Sequence, residues 1–293
     1  MIKKHLFLTL CGLSFFYSCK DTTEQRQETS SKTKIERKYD KAQDYTFSNW
    51  VLKDSDSVRK KFRETFTAQQ LQTIVALNRV DKSNFHTMDT LVIPDKFDDD
   101  FLAYSPFPYS IDEAKDIKKL AIFSYAIQAY GLYENGELIK WGPSSMGSEK
   151  NKTPEGLYFT NWKGEETVST FDDEWVLRWN FNLDNEKGVA WHQYGLPGYP
   201  ASHSCLRLLE EDAKWMFDWA DEWILEDEQN IKAKGTPVIV FGSYNFGGSK
   251  PWLQLSKNNH ANDLTKEDIN AVIKPYKAEI IKEQQNRDQV VAK

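Results

Sequence analysis

Residues 191–208 read WHQYGLPGYPASHSCLRL, and they place two histidines close to a cysteine. A thiol of ordinary pKa is mostly protonated at neutral pH, so a nucleophilic Cys205 needs a base or a positive field. An ordinary histidine titrates in the right range to take and return that proton, and the candidates are His192 and His203. The spacing predicts a cysteine acyl-transfer site, in which backbone N–H groups ahead of a predicted helix hold an oxyanion. The alternative is a buried structural cysteine beside histidines in a turn.

A zinc site is a poor interpretation of the same segment. It would need Cys205 together with His192 and His203, and no further Cys or acidic residue lies at a usual zinc spacing. We therefore predict neither a metal nor any other cofactor, because Cys, His and backbone donors suffice for acyl transfer.

The segment resembles the signature of the L,D-transpeptidase catalytic domain of the YkuD type. That signature is an upstream histidine, a loop and then Ser-His-Gly-Cys-x-Arg, and this chain has His192 followed by 202–207, Ser-His-Ser-Cys-Leu-Arg. An Asn135-Gly136 hairpin, a Thr-Pro-x-Gly turn at 153–156 and a closing Gly-Thr-Pro-Val strand at 235–238 follow the family's order. The resemblance covers about 125 of the 293 residues.

The resemblance implies a role for each residue of the segment. Cys205 is the nucleophile, His192 the general base, and the backbone carbonyl of Gln193 orients that imidazole. His203 supports the site, and the N–H groups of Ser204 and Cys205 fit an oxyanion hole. The implied enzyme forms a thioester with a peptidoglycan tetrapeptide stem, releases D-Ala and transfers the acyl group to an amine.

Three further side chains are candidates to bind substrate: Arg207, Ser202 and Tyr194. Arg207 is placed to grip a carboxylate in bidentate fashion, although a structural ion pair is an equal alternative. The chain departs from the family in having Ser204 where glycine is usual. If the position requires a positive φ, serine costs energy there. The loop from His192 to Cys205 is also shorter than is common in the family, which predicts a narrower substrate entrance.

The pattern of the chain predicts a mainly β catalytic domain at 119–245 with one significant helix. β-branched and aromatic residues at 120–132 precede the Asn135-Gly136 turn, which favours a hairpin returning through 138–141. Further strands are predicted at 157–159, 175–181, 189–192 and 235–241, and a helix at 209–223.

The flanking regions are predicted to differ in structure. Residues 46–97 resemble the second half of a LysM module, a small α/β unit that binds N-acetylglucosamine polymers; a helical spacer is the alternative. Residues 98–118 are acidic and contain prolines, as connectors do. The tail at 246–293 is predicted to contain a helix from Thr265, its N-cap, to about Asp288, which packs on the body or meets a partner.

The N-terminus is typical of an exported protein. A basic start and an apolar run lead to Cys19, which resembles a lipoprotein signal at 1–18 whose Cys19 is acylated; an ordinary secretory signal is the alternative. Residues 19–45 are polar and predict a disordered tether. Thus we expect a location on the periplasmic side of the cell envelope and a lipid anchor in a membrane. The formal charge of −6, with no basic block, argues against a nucleic-acid partner.

Two other functions fit the sequence. One is a non-catalytic lipoprotein that binds peptidoglycan, suggested by the LysM-like unit and by Ser204. The other is a hydrolase or carboxypeptidase that forms the same thioester and uses water as the acceptor. Both keep peptidoglycan as the partner, and the sequence assigns no oligomeric state.

Overall fold

The computed structural model describes residues 45–52, 56–169 and 175–293. The predicted signal peptide, Cys19 and nearly all of the predicted tether lie outside these ranges. Within them, no helix combines the length and the apolar character that crossing a bilayer requires.

The first elements form a strand–helix–helix–strand unit. They are β1 (Phe47–Val51), α1 (Asp56–Thr65), α2 (Ala68–Leu77) and β2 (Thr90–Pro94). β1 pairs antiparallel with β2. α2 begins at Thr67, whose side chain forms a capping box with Gln70. The first strand was not predicted, because most of its side chains are exposed and give no apolar pattern. The resemblance of this unit to LysM stays a prediction.

Two main sheets, one two-stranded sheet and three helices make up the rest of the described chain. The strands are β3 (Leu120–Ser124), β4 (Ala129–Glu134), β5 (Glu137–Pro143), β6 (Gly156–Phe159), β7 (Lys163–Val168), β8 (Val176–Asp184), β9 (Val189–Gln193), β10 (Leu206–Leu208), β11 (Ile224–Leu225), β12 (Ile231–Ala233) and β13 (Pro237–Phe241); the helices are α3 (Glu210–Trp219), α4 (Lys266–Ile273) and α5 (Lys277–Val291). The larger sheet has the order β5-β4-β3-β13-β6, and the smaller β10-β9-β8-β7. The prediction of a mainly β fold is confirmed for this part of the chain.

The larger sheet is buried on both faces. In β3, Leu120 and Ile122 point to one face and Ala121 and Phe123 to the other, and all four are fully buried. The second pair packs toward the smaller sheet, where Trp191 is also fully buried. The buried side chains of β9 and β10 therefore pack directly against this face of the larger sheet.

The opposite face is covered by regions that the sequence placed outside the core. Phe107, Ile111 and Ile117, from the segment predicted as a connector, are buried against the sheet. Ile273 and Ile280 of the tail join the same cluster. The tail thus packs on the body.

Several predicted boundaries are wrong, each for a local reason. A turn at 125–128 divides the predicted 120–132 strand region, and Gln128 there has φ +49°. Helix α3 ends at Trp219 rather than Trp223, because Ala220 is extended. Pro275, which has no N–H to donate, lies between α4 and α5, where one helix was predicted. By contrast, the Asn135-Gly136 turn is confirmed, with φ +50° and +78° between paired strands.

Candidate active site

His192 lies on β9 with its imidazole oriented by its neighbour's main chain. The side chain is 3% exposed, and its Nδ1 lies 3.0 Å from the backbone oxygen of Gln193. A carbonyl oxygen only accepts, so Nδ1 carries the proton and Nε2 keeps a free lone pair. The arrangement presents Nε2 as a base.

Cys205 comes immediately before β10, which pairs in parallel with β9. The register places Arg207 opposite His192. The thiol is half-buried and donates to the backbone oxygen of Gly188 at 3.5 Å. Cys205 was predicted to precede a helix, and in the structure β10 lies between Cys205 and α3, which begins at Glu210. The parallel pairing of β9 and β10 therefore places the cysteine and the histidine at one end of neighbouring strands, where both line the same cavity.

One narrow cavity gathers most of the predicted site. The side chains that line it are His192, Tyr194, Ser202, His203, Cys205 and Arg207, together with Ser169, Trp175 and Leu177. Gln193 and Ser204 are not among the residues that line it: the backbone oxygen of Gln193 accepts from His192, and Ser204 precedes Cys205 in the chain. Cys19 lies outside the described residues.

The resting thiol and imidazole are both neutral. Burial lowers the pKa of His192 to about 4, with Arg207 adding to the decrease against the raising effect of Gln193. Burial also raises the pKa of Cys205 to about 11. At neutral pH the site therefore holds a thiol donor and a base, not a thiolate–imidazolium pair.

Ser204 has φ +86°, in the region that favours glycine. Its hydroxyl lies 3.2 Å from the carbonyl oxygen of Gly188, which accepts a hydrogen bond from it. Its own carbonyl accepts a hydrogen bond of 2.8 Å from the hydroxyl of Thr153. Position 204 therefore does have a positive φ, which was the condition under which serine costs energy there. Having serine instead of glycine thus carries a conformational cost in the backbone.

Thr153 is a supporting residue that the sequence did not assign to the site. Its hydroxyl accepts from the N–H of Gly147 at 3.0 Å while donating to Ser204. The hydroxyl of Ser202 donates to the carbonyl of Cys205, closing the turn. The Thr-Pro-x-Gly motif thus stabilises the turn that carries Cys205 through hydrogen bonds from a neighbouring loop. The sequence identified the motif only as a turn and gave no sign of this contact.

Arg207 stacks on Tyr194, with the guanidinium carbon 4.5 Å from the ring centroid. Its Nη1 also lies 3.4 Å from the backbone oxygen of Gly195. No carboxylate within the described ranges forms an ion pair with it. Burial lowers its pKa, but from so high a value that the group stays charged at neutral pH.

Trp175 is one of three residues lining the Cys205 cavity that the sequence did not assign to the site, and its ring centroid lies 5.2 Å from that of His203. Sequence reasoning placed it only on a strand.

The loop after His192 is held by the N-terminal unit. The N–H of Leu196 donates to the Asp81 carboxylate at 2.6 Å, and Asp81 N–H donates back to Leu196 oxygen at 3.0 Å. The N–H of Gly198 donates to the Arg79 oxygen at 3.0 Å. Burial would raise the pKa of Asp81, but hydrogen bonds from Ser83, Asn84 and Leu196 outweigh it and lower the pKa.

The three described segments contain no group of three His, Cys, Asp or Glu side chains arranged to hold a metal ion.

Residues 119–240 match the family model of the L,D-transpeptidase catalytic domain, YkuD. The resemblance seen in the sequence is confirmed for this segment. All the candidate site residues from His192 to Arg207 lie inside the matched L,D-transpeptidase domain, whereas the N-terminal unit and the tail lie outside it.

Solved L,D-transpeptidases are similar to part of the chain. One from Mycobacterium smegmatis is 21% identical, over 43% of this chain and 59% of that one, with a TM-score of 0.35. One from Stackebrandtia nassauensis is 21% identical, over 43% and 57%, with a TM-score of 0.36. L,D-transpeptidase 3 from Mycobacterium tuberculosis is 19% identical, over 43% and 61%, with a TM-score of 0.34. The chain thus spans about three fifths of the length of these proteins. No curated protein matches it.

Proposed function

We propose that this chain is a cell-envelope cysteine L,D-transpeptidase that acts on peptidoglycan stem peptides. The observation that carries the proposal is that β9 and β10 pair in parallel, and that Cys205 and an imidazole of His192 oriented by Gln193 line one cavity. The match of residues 119–240 to the L,D-transpeptidase catalytic domain supports an enzyme of this class.

The proposed reaction begins with the neutral thiol. Nε2 of His192 takes the proton of Cys205 as Sγ attacks the carbonyl between the L- and D-centres of a tetrapeptide stem. The N–H groups of Ser204 and Cys205 stabilise the oxyanion. The intermediate collapses to a thioester, and D-Ala leaves with the proton from His192. An amine of a second stem then attacks the thioester and returns the thiol.

Arg207 is proposed to bind a substrate carboxylate. It lines the Cys205 cavity, is charged, and is held in place by the ring of Tyr194. A planar guanidinium matches a carboxylate in geometry as well as charge. His203 and Ser202 are proposed to support the turn that carries Cys205.

The proposal also includes where the protein is located and how it binds the peptidoglycan glycan. Acylation of Cys19 would anchor the chain in a membrane on the periplasmic side, as its signal-like N-terminus suggests. The strand–helix–helix–strand unit at 46–97 would bind the glycan. Release of the protein from membranes after Cys19→Ser, with the signal still processed, tests the anchor.

The chemistry is tested by intact-protein mass spectrometry. The full chain is incubated with a disaccharide-tetrapeptide, next to Cys205→Ala as the matched control. We expect a mass gain at Cys205 with release of D-Ala, absent in the variant. Turnover by Cys205→Ala would refute the proposal. Adding an amine acceptor then separates transpeptidation, which gives a cross-linked product, from hydrolysis, which regenerates free stem.

A non-catalytic wall-binding protein is the alternative outcome of the same experiment. It would show no adduct while Cys205 remained open to a small alkylating agent, and the protein would still sediment with peptidoglycan sacculi.

A further inference from the structure

A second cavity lies between the N-terminal unit and the chain just before α4. It has a volume of about 90 Å³ and shares no lining residue with the Cys205 cavity. A water needs roughly 10–15 Å³ on this measure, so the cavity has room for several waters or for a small organic acid. Its walls come from β1, the end of α2, the 98–118 segment, β5 and residues 255–263.

Arg79 forms the charged part of the wall. The residue is 1% exposed, its Nε donates to the Ile127 oxygen at 3.0 Å, and its Nη1 donates to the Leu77 oxygen at 2.7 Å. The guanidinium lies over the rings of Trp141 and Trp252, at 5.7 and 5.4 Å. Among the described residues, no carboxylate pairs with Arg79 and no acceptor bonds Nη2.

Burying a guanidinium without an anion raises the free energy of the folded state, because no opposite charge offsets the loss of hydration. Burial lowers the pKa of Arg79 to about 9, so the group still carries its charge at neutral pH. Asp263 on the same wall does not compensate it, since that carboxylate bonds His260 at 2.7 Å.

Asn262 supplies a second unsatisfied group on this wall. The residue is 4% exposed, and within the described segments neither its Oδ1 nor its Nδ2 has a partner. The other large polar side chains differ: Tyr104, Tyr109 and Trp141 each bond a backbone group. Buried amides are almost always paired in native proteins, so an unpaired amide and an unpaired guanidinium edge that line the same cavity indicate a ligand.

We propose that this cavity binds a small carboxylate that also carries an amide, as in an N-acyl amino acid or the C-terminal residue of a peptide. Arg79 Nη2 donates to the carboxylate, and Asn262 pairs with the amide, offering one donor and one acceptor. Phe47 and Tyr104 on the walls contact the apolar part of the ligand. The inference stands independently of the proposed transpeptidase activity.

The test is calorimetric titration of the full-length chain with N-acetylglycine, and with uncharged N-acetylglycinamide as the matched probe. We expect one site for the acid and at least about tenfold weaker binding of the amide, because only the acid pairs the buried charge. N-acetyltriglycine distinguishes the sources: equal affinity indicates a peptide end, weaker affinity a free N-acyl amino acid.

The variant used to test the site is Asn262→Leu. Arg79 is not substituted, because it donates to main-chain carbonyls and its removal would destabilise the fold. The same change at exposed Asn245 is the control. Asn262→Leu should abolish binding yet raise the Tm of the ligand-free protein by about 2–4 °C, because it removes an unpaired buried amide. The proposal is overturned if wild type shows no saturable binding at about 10 mM, well above a millimolar dissociation constant. Unchanged binding by Asn262→Leu also overturns it.

Discussion

The electrostatic state of two side chains determines how the proposed chemistry starts. His192 and Cys205 are both desolvated, and desolvation favours the neutral form of each. Separating charge between them before substrate arrives is therefore unfavourable. Proton transfer coupled to attack on the substrate avoids that state, and the carbonyl of Gln193 stabilises the imidazolium as it forms.

The buried neutral imidazole makes folding stability depend on pH. Because the pKa of His192 falls from 6.5 to about 4 on folding, the unfolded chain binds the proton more tightly. The stabilisation is complete above pH 6.5 and is lost as pH falls toward 4, by about 3 kcal/mol. Urea unfolding at pH 7 and 4.5 measures it. His192→Gln should reduce this pH dependence by most of that amount; an unchanged dependence would contradict the burial argument.

Two substitutions at Ser204 separate its backbone cost from its hydroxyl bond. Ser204→Gly removes both, whereas Ser204→Ala keeps the strained φ of +86° and loses the bond to Gly188. We expect the glycine variant to be more stable than the alanine variant by about 1–2 kcal/mol, the usual cost of such a backbone conformation. Thermal unfolding of both beside wild type provides the comparison. Equal stabilities would mean that the turn relaxes without strain.

Secondary-structure elements were predictable where local pattern alone decides them. The hairpin at Asn135-Gly136 carries its own turn chemistry, and β9 is a short run of buried residues that ends at the motif. Tertiary contact decides the others. β1 forms because β2 provides its partner, and β10 is only three residues long, so neither shows a periodic pattern. The motif predicted the site, but the strand pairing that assembles it required the fold.

The hydrogen bond between Asp81 of the N-terminal unit and Leu196 of the loop after His192 could not be predicted from the sequence either, because the two residues are 115 positions apart in the chain. Removing that carboxylate leaves four donors without it, two backbone N–H groups and two side-chain groups, at a cost of about 1–3 kcal/mol. We expect Asp81→Ala to lower D-Ala release by about tenfold or more, since small displacements near reacting groups are costly. The exposed change Asp227→Ala is the control. Full activity in Asp81→Ala would show that the loop after His192 keeps its position without the Asp81 carboxylate.

The larger sheet has an apolar core on each face. One face carries the smaller sheet that holds His192. The other carries the 98–118 segment and the tail helices. Apolar side chains of all these parts share the sheet, so we expect 45–293 to unfold together rather than domain by domain.

The tail offers the sharpest test of that cooperativity. Ile273 on α4 is fully buried, whereas Val291 near the C-terminus is 66% exposed. Ile273→Ala should cost about 2–5 kcal/mol, because the site loses apolar burial and leaves a cavity, while Val291→Ala should be nearly neutral. In urea unfolding, Trp fluorescence and far-UV circular dichroism should report one shifted transition for Ile273→Ala. Two separate transitions, with only the tail destabilised, would mean that the helices are an appendage and the catalytic sheet is stable without them.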